Sequence, residues 1–144
     1  MLIPAFKLQL GNEILVGKVC IGYYDGKHPS LTCATSAGKV FIHSPHDRSG
    51  NADENGVRFL NINHTITALA AGRLNPALDR DILLIGTQTN ILAYDVENNS
   101  DIFYKDVPDG VNRMIFGQVS AQHSPCSKHG LSSNTMALIT SDSC

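Results

Sequence analysis

The sequence predicts an all-β fold, part of a β-propeller made of WD40-like blades, each of four antiparallel strands. Three observations predict it. The apolar runs are short and are separated by clusters of Gly, Asn, Asp and Ser, which punctuate strands better than helices. The clearest pair of runs, residues 82–85 and 91–96, flanks a polar break, Gly86-Thr87-Gln88-Thr89-Asn90, that reads as a hairpin turn between two buried strands. That hairpin has a counterpart upstream: residues 30–47 lie over 81–98 without a gap, at an offset of 51 residues.

Taken in order, residues 2–10 alternate in part, with Phe6, Leu8 and Leu10 on one face and Lys7 and Gln9 on the other. This predicts a strand ended by Gly11-Asn12. Residues 18–24 predict a second strand, closed by Asp25-Gly26 and Pro29, and residues 31–35 a third. Ser36-Ala37-Gly38-Lys39 turns the chain, and residues 40–43 return. Residues 44–56 are rich in Ser, Asn, Asp and Gly and predict a loop, followed by a short outer strand over 57–62. Residues 65–71 are small and apolar, and Gly72 ends them. Residues 73–80, around Pro76, predict a connecting loop with room for one helical turn. After the central hairpin, Glu97-Asn98-Asn99-Ser100 is another turn. Residues 102–104 form a short strand before Pro108-Asp109-Gly110, and residues 113–119 begin another.

In the repeat, Leu31 meets Ile82, Ala34 meets Ile85, Val40 meets Ile91 and Phe41 meets Leu92. Upstream, residues 19–22 and 66–69 each offer a strand before the connecting loop, so each unit holds four short strands. Units of about 40–50 residues with four strands are the mark of propeller blades. A β-sandwich also accommodates such strands. Two blades, an N-terminal strand and the start of a third blade make an open piece, because closed propellers use about 4–8 blades to protect their edges. The reading is therefore of a part of something larger.

Composition narrows the function. The formal net charge is −2, so no basic field invites nucleic acid. No apolar stretch approaches the roughly 20 residues needed to span a bilayer, so direct membrane insertion is not expected. The start, Met1-Leu-Ile-Pro-Ala-Phe-Lys, lacks the pattern of a secretory signal. Cys20, Cys33, Cys126 and Cys144 form no CxxC pair and read as free thiols in a reducing compartment. In that setting the sequons at Asn63 and Asn98 carry no glycan.

Several stretches are specific enough to carry a resemblance. They are Gly22-Tyr-Tyr-Asp-Gly-Lys-His-Pro29, Ala37-Gly-Lys-Val-Phe-Ile-His43, Leu74-Asn-Pro76, Gly86-Thr-Gln-Thr-Asn-Ile-Leu-Ala-Tyr-Asp-Val96 and Asn98-Asn-Ser-Asp101. With them the sequence resembles the N-terminal region of the Bardet–Biedl syndrome 2 family of BBSome subunits, over residues 1–117. The resemblance implies a propeller at the start of a long multidomain subunit. It also implies a non-enzymatic scaffold in a coat-like adaptor that traffics membrane proteins to and from the primary cilium and supports cilium assembly. Its implied partners are other BBSome subunits, especially the propeller-bearing ones, and chaperonin-type assembly factors. An Arf-like small GTPase and ciliary membrane cargo are reached through the complex. The implied locations are the cytoplasm, the cilium, the periphery of the ciliary membrane and the basal body. After Gly117 the sequence departs from the family. Residues 118–144 are Ser-rich and read as a disordered tail, which suggests a truncated form.

The residues offer no catalytic constellation, cofactor motif or metal site. His43 and His46 lie near His28 and His64 in sequence, but without a recognised ligand spacing, and read as isolated histidines. Residues 51–56 resemble the start of a calcium loop, yet the twelfth position is Ile62, where a bidentate Glu belongs. Asp25, Asp47, Asp79, Asp81 and Asp95 neighbour turns, which explains them by local backbone capping. No phosphate-binding glycine motif or nucleophile elbow occurs. Two further readings stand beside the scaffold. One is a truncated product unable to assemble. The other is a small metal-binding or hydrolytic enzyme, resting only on scattered His and Asp residues.

Overall fold

Turn residues at short intervals leave no run long enough for a helix, and the described residues form ten β-strands and no helix. The computed structural model describes residues 3, 7–47, 50, 52–117 and 136–140. The strands are β1 (Ile14–Gly22), β2 (Ser30–Thr35), β3 (Lys39–His43), β4 (Val57–Asn61), β5 (Ile66–Gly72), β6 (Ile82–Thr87), β7 (Asn90–Asp95), β8 (Ser100–Asp106), β9 (Arg113–Gly117) and β10 (Met136–Thr140). Strands β1-β2-β3-β4 form one antiparallel sheet, β5-β6-β7-β8 a second, and β9 pairs with β10. Each four-stranded sheet is a blade, and the pair is part of a propeller.

The inner strands β1, β5 and β9 are neighbours, so the blades converge along them. Convergence demands small side chains. β5 reads Ile-Thr-Ala-Leu-Ala-Ala-Gly. A Cβ on Gly72 would lie 2.4 Å from Cγ of Phe116, and one on Gly22 would lie 2.9 Å from Cβ of Ala71. Between the blades, Ala34, Val40 and Ile42 of the first pack against Ile66, Leu83, Ile85 and Tyr94 of the second. The outer face of the first blade buries Cys33, Phe41 and Val57 beneath Leu8 and Leu10. The far face of the second buries Ile82, Leu84 and Ala93 against Met114 and Phe116.

Four expectations need correction. Residues 7–10 form no strand; the remainder of the predicted 2–10 strand, apart from Ile3, lies outside the described residues, and the first strand is Ile14–Gly22. Leu8 and Leu10 instead serve as a cover for the first blade. Residues 73–80 make turns without a helix, the chain closing on itself through Leu78 N–H to the Asn75 carbonyl at 3.0 Å. Only residues 88–89 form the central turn, because Gly86 and Thr87 belong to β6 and Asn90 to β7. Gly86 sits in the strand because a Cβ there would come within 2.6 Å of Val111.

The fourth concerns the repeat. Three residues, 36–38, join β2 to β3, with Gly38 at φ 68°, and Ala34 stands opposite Val40. Two residues join β6 to β7, and Gly86 stands opposite Ile91. The offset of 51 is right for β3 on β7, where Val40 and Ile91 each face the following element. It is wrong for β2 on β6: Ala34 faces the second blade, whereas Ile85 faces back to the first. One more residue restores the match and sets Thr35 over Thr87. Each of these hydroxyls donates across its turn, to the carbonyl of Lys39 at 3.0 Å and of Asn90 at 3.2 Å. The side-chain period of a strand is two, so a one-residue slip turns every side chain to the wrong face.

The strand β10 lies within residues 118–144 and pairs with β9, Met136 standing opposite Gly117. The rest of 118–144 lies outside the described residues. No described helix is long and apolar enough to cross a membrane.

Candidate interaction surfaces

The loops at one end of the blades are tied to each other by Asp side chains. Asp25 folds the β1–β2 loop by accepting from the backbone N–H of Lys27 at 2.8 Å and of His28 at 2.7 Å. Gly26 then takes φ 77°, and a Cβ there would lie 2.2 Å from the carbonyl oxygen of Asp79. The loop thus rests directly on the second blade's β5–β6 loop. Asp81 completes the contact: its carboxylate accepts from Tyr23 N–H at 2.9 Å, and its own N–H donates to the Tyr23 carbonyl at 3.0 Å. Asp25 and Asp95 therefore cap local turns, while Asp81 and Asp47 make longer-range contacts that their neighbourhood in sequence does not reveal.

Arg58 and Asp47 lie beneath these loops, at 7% and 9% side-chain exposure. Nε of Arg58 donates to Asp47 at 3.0 Å, and the terminal nitrogens donate to Asp47 and to the Val96 carbonyl of the second blade. Arg80 grips Asp95 through two nitrogens, at 2.6 and 3.3 Å. A polar cavity of about 220 Å³ opens here, lined by Asp25, His28, His46, Arg58 and Glu97 among others. The His28 and His46 rings lie 4.7 Å apart, so these two histidines are not isolated.

Burial opposes ionisation of Asp25 and Asp95, yet both carboxyls titrate below the usual range. Backbone N–H donors and His28 outweigh that burial at Asp25, which is held at about 2; Arg80 and Asn98 outweigh it at Asp95. Burial also raises the Cys20 thiol from 9.0 to about 11. The two carboxyls have folded values below the unfolded 3.8 and the thiol has one above its unfolded 9.0. Their stabilisation is therefore complete between those values, is lost for the carboxyls as pH falls below about 4 (for Asp25, towards about 2), and is lost for the thiol as pH rises from about 9 to about 11. The unfolding midpoint in urea is expected to be flat near neutrality and to fall on both sides. Asp25→Asn should flatten the acid limb.

A second surface lies on the rim, between the outer strands of the two blades. It is an open groove of about 340 Å³ whose walls include Phe59, Ile62, Leu92, Tyr94 and Tyr104, with Asp101 and His64 at its margin. Phe59 and Tyr104 are 48% and 60% exposed. Neither face was foreseen from the sequence. Phe59 and Tyr104 read there only as strand residues, and which strands stand side by side on the rim depends on how the blades pack.

Among the described residues no group of three or more His, Cys, Asp or Glu is arranged to hold a metal ion. Asp53 folds its own loop, its carboxylate accepting from Asn55 N–H at 2.9 Å and Val57 N–H at 2.8 Å. Cys20 and Cys33 are free thiols; Cys126 and Cys144 lie outside the described residues.

The family model described as "Ciliary BBSome complex subunit 2, N-terminal" matches residues 20–117. BBSome complex member BBS2 of Rattus norvegicus is 52% identical over 126 residues, covering 81% of this chain and 18% of that protein. The Homo sapiens protein of the same name is 48% identical over 134 residues, covering 87% of this chain and 19% of that protein. BBSome complex member bbs-2 of Caenorhabditis elegans is 40% identical over 60 residues, or 42% of this chain and 8% of that protein. The chain thus spans under a fifth of the length of these curated relatives. The family match runs from the last three residues of β1 through the end of β9, taking in β2 to β8 entire, and on it the chain belongs to the family of the N-terminal region of ciliary BBSome complex subunit 2.

Proposed function

We propose that the chain acts as a non-enzymatic scaffold within the BBSome, the adaptor that moves membrane proteins to and from the cilium. The family match over both blades carries this reading. The blades themselves suit it: their residues are spent on packing and on fixing loops, and their rim and loop ends present rigid surfaces for other proteins. Its partners are other BBSome subunits, above all those with propellers of their own, with chaperonin-type factors aiding assembly. The small GTPase and the cargo are met through the complex, at the cilium, its membrane and the basal body. Residues 1–117 supply the propeller part.

The test is affinity purification of the tagged 144-residue chain from ciliated cells at near-native expression, followed by mass spectrometry. Several BBSome subunits are expected. Recovery of chaperones and degradation factors alone would remove the scaffold role from this chain and favour a product that cannot assemble.

A further inference from the structure

We infer that the rim groove between the two blades receives a segment of a partner protein that carries an arginine flanked by apolar residues. The inference rests on the scaffold reading and gives the chemistry of one of its contacts.

The walls of the groove are mainly apolar, and its two tyrosines are held in place before anything binds. Tyr94 donates its hydroxyl to the Asn99 side chain, and the Tyr104 hydroxyl accepts from the Asn90 side-chain amide at 2.5 Å. Asn90 is itself 4% exposed and is fixed further by Thr87 and Thr89. Both ring hydroxyls thus have partners within the chain, while Tyr104 and Phe59 keep large exposed surfaces. Rigid aromatic walls lose little entropy when a ligand settles on them.

Charge selects the occupant. The groove lining contains no Lys or Arg, and Asp101 is its one carboxylate. Asp101 is exposed and bears on Tyr94 electrostatically. A guanidinium is the group that answers all of these features at once. Its flat face stacks on a phenol or phenyl ring, its fork pairs with a carboxylate, and it sheds water more readily than an ammonium. Apolar neighbours on the same segment would cover Ile62 and Leu92. An acidic segment would instead set its charge against Asp101.

A mutant cycle on the purified full chain tests this. The probe is a short synthetic peptide with one arginine between two leucines and a terminal tryptophan, compared with the same peptide bearing glutamine for arginine. The chain holds no Trp, so the probe's fluorescence is read without interference. Asp101 and Tyr104 are exposed, so Asp101→Asn and Tyr104→Ala should fold, which circular dichroism would check. The arginine peptide is expected to bind. Tyr104→Ala should weaken it about tenfold, as for a central aromatic anchor. Asp101→Asn should weaken it about threefold or more, while leaving the glutamine peptide unchanged, as for a surface ion pair. Equal effects on both peptides, or no binding of the arginine peptide, would overturn the inference. So would self-association of the chain that Tyr104→Ala abolishes, since the occupant would then be a second copy. The cycle is read on purified protein and subunit recovery is read in cells. An absent cycle with intact recovery removes the groove alone, and lost recovery with an intact cycle removes the scaffold reading alone.

Discussion

Arg58→Ala is expected to destabilise the chain by about 3–5 kcal/mol, the range found when one partner of a buried ion pair is removed. Arg58 lies on β4 in the first blade, yet one of its nitrogens reaches the Val96 carbonyl at the end of β7 in the second. Two others hold Asp47, whose side chain is 9% exposed. Truncation would strip a buried carboxylate of its guanidinium and leave a carbonyl between the blades without that donor. Water would have to enter to replace them. Arg58→Met, which keeps the volume, should recover part of the loss, and more of it when combined with Asp47→Asn, since the pair would then carry no buried charge. Urea unfolding followed by circular dichroism measures all four states of the cycle. A loss below about 1 kcal/mol for Arg58→Ala would place the pair among weak surface bridges and discard its role as a link between blades.

The second large effect is expected at Ile85. This residue is 0% exposed and stands where Val40 and Ile42 of the first blade meet Leu83 and Ile66 of the second. Ile85→Ala should cost about 2–5 kcal/mol, through lost burial and the cavity left where both blades resist collapse. Ile85→Val should cost about 0.5–1.5 kcal/mol. The exposed Ile102 on β8 offers the contrast: Ile102→Ala should shift stability by no more than about 0.5 kcal/mol, as expected for surface changes. The same urea experiment checks the series. Equal losses at Ile85 and Ile102 would mean that the interface between blades contributes little to folding.

Much of this fold was legible in the residues. Short runs of Ile, Leu and Val between Gly and Asn turns announced strands. The likeness of residues 30–47 to 81–98 announced two units of one kind. The Gly86–Val96 run carried the family. Local chemistry was also readable, as at Asp25, whose carboxylate caps the two N–H groups that follow it in the loop.

Other features could not be read there. The three-residue turn at 36–38 and the two-residue turn at 88–89 fall at the same place in the ungapped repeat, but they set β2 and β6 one residue apart in register. Arg58 looked like a polar residue on an outer strand, and its burial follows only from Asp47 and Val96 closing over it. The groove of Phe59, Tyr94 and Tyr104 exists because β4 comes to stand beside the second blade's outer strands.

The sequence by itself determined most of the strands, roughly where the chain turns between them and that one blade is repeated, because these follow from side-chain period and backbone preference over a few residues. Only the tertiary structure decided which face of each strand is buried between blades, which carboxylates meet arginines across the chain and which aromatic residues line the rim. Those outcomes depend on the packing of one sheet against the next, where residues far apart in the chain, such as Tyr23 and Asp81 at a separation of 58, become neighbours. A short window of sequence carries no record of that distance.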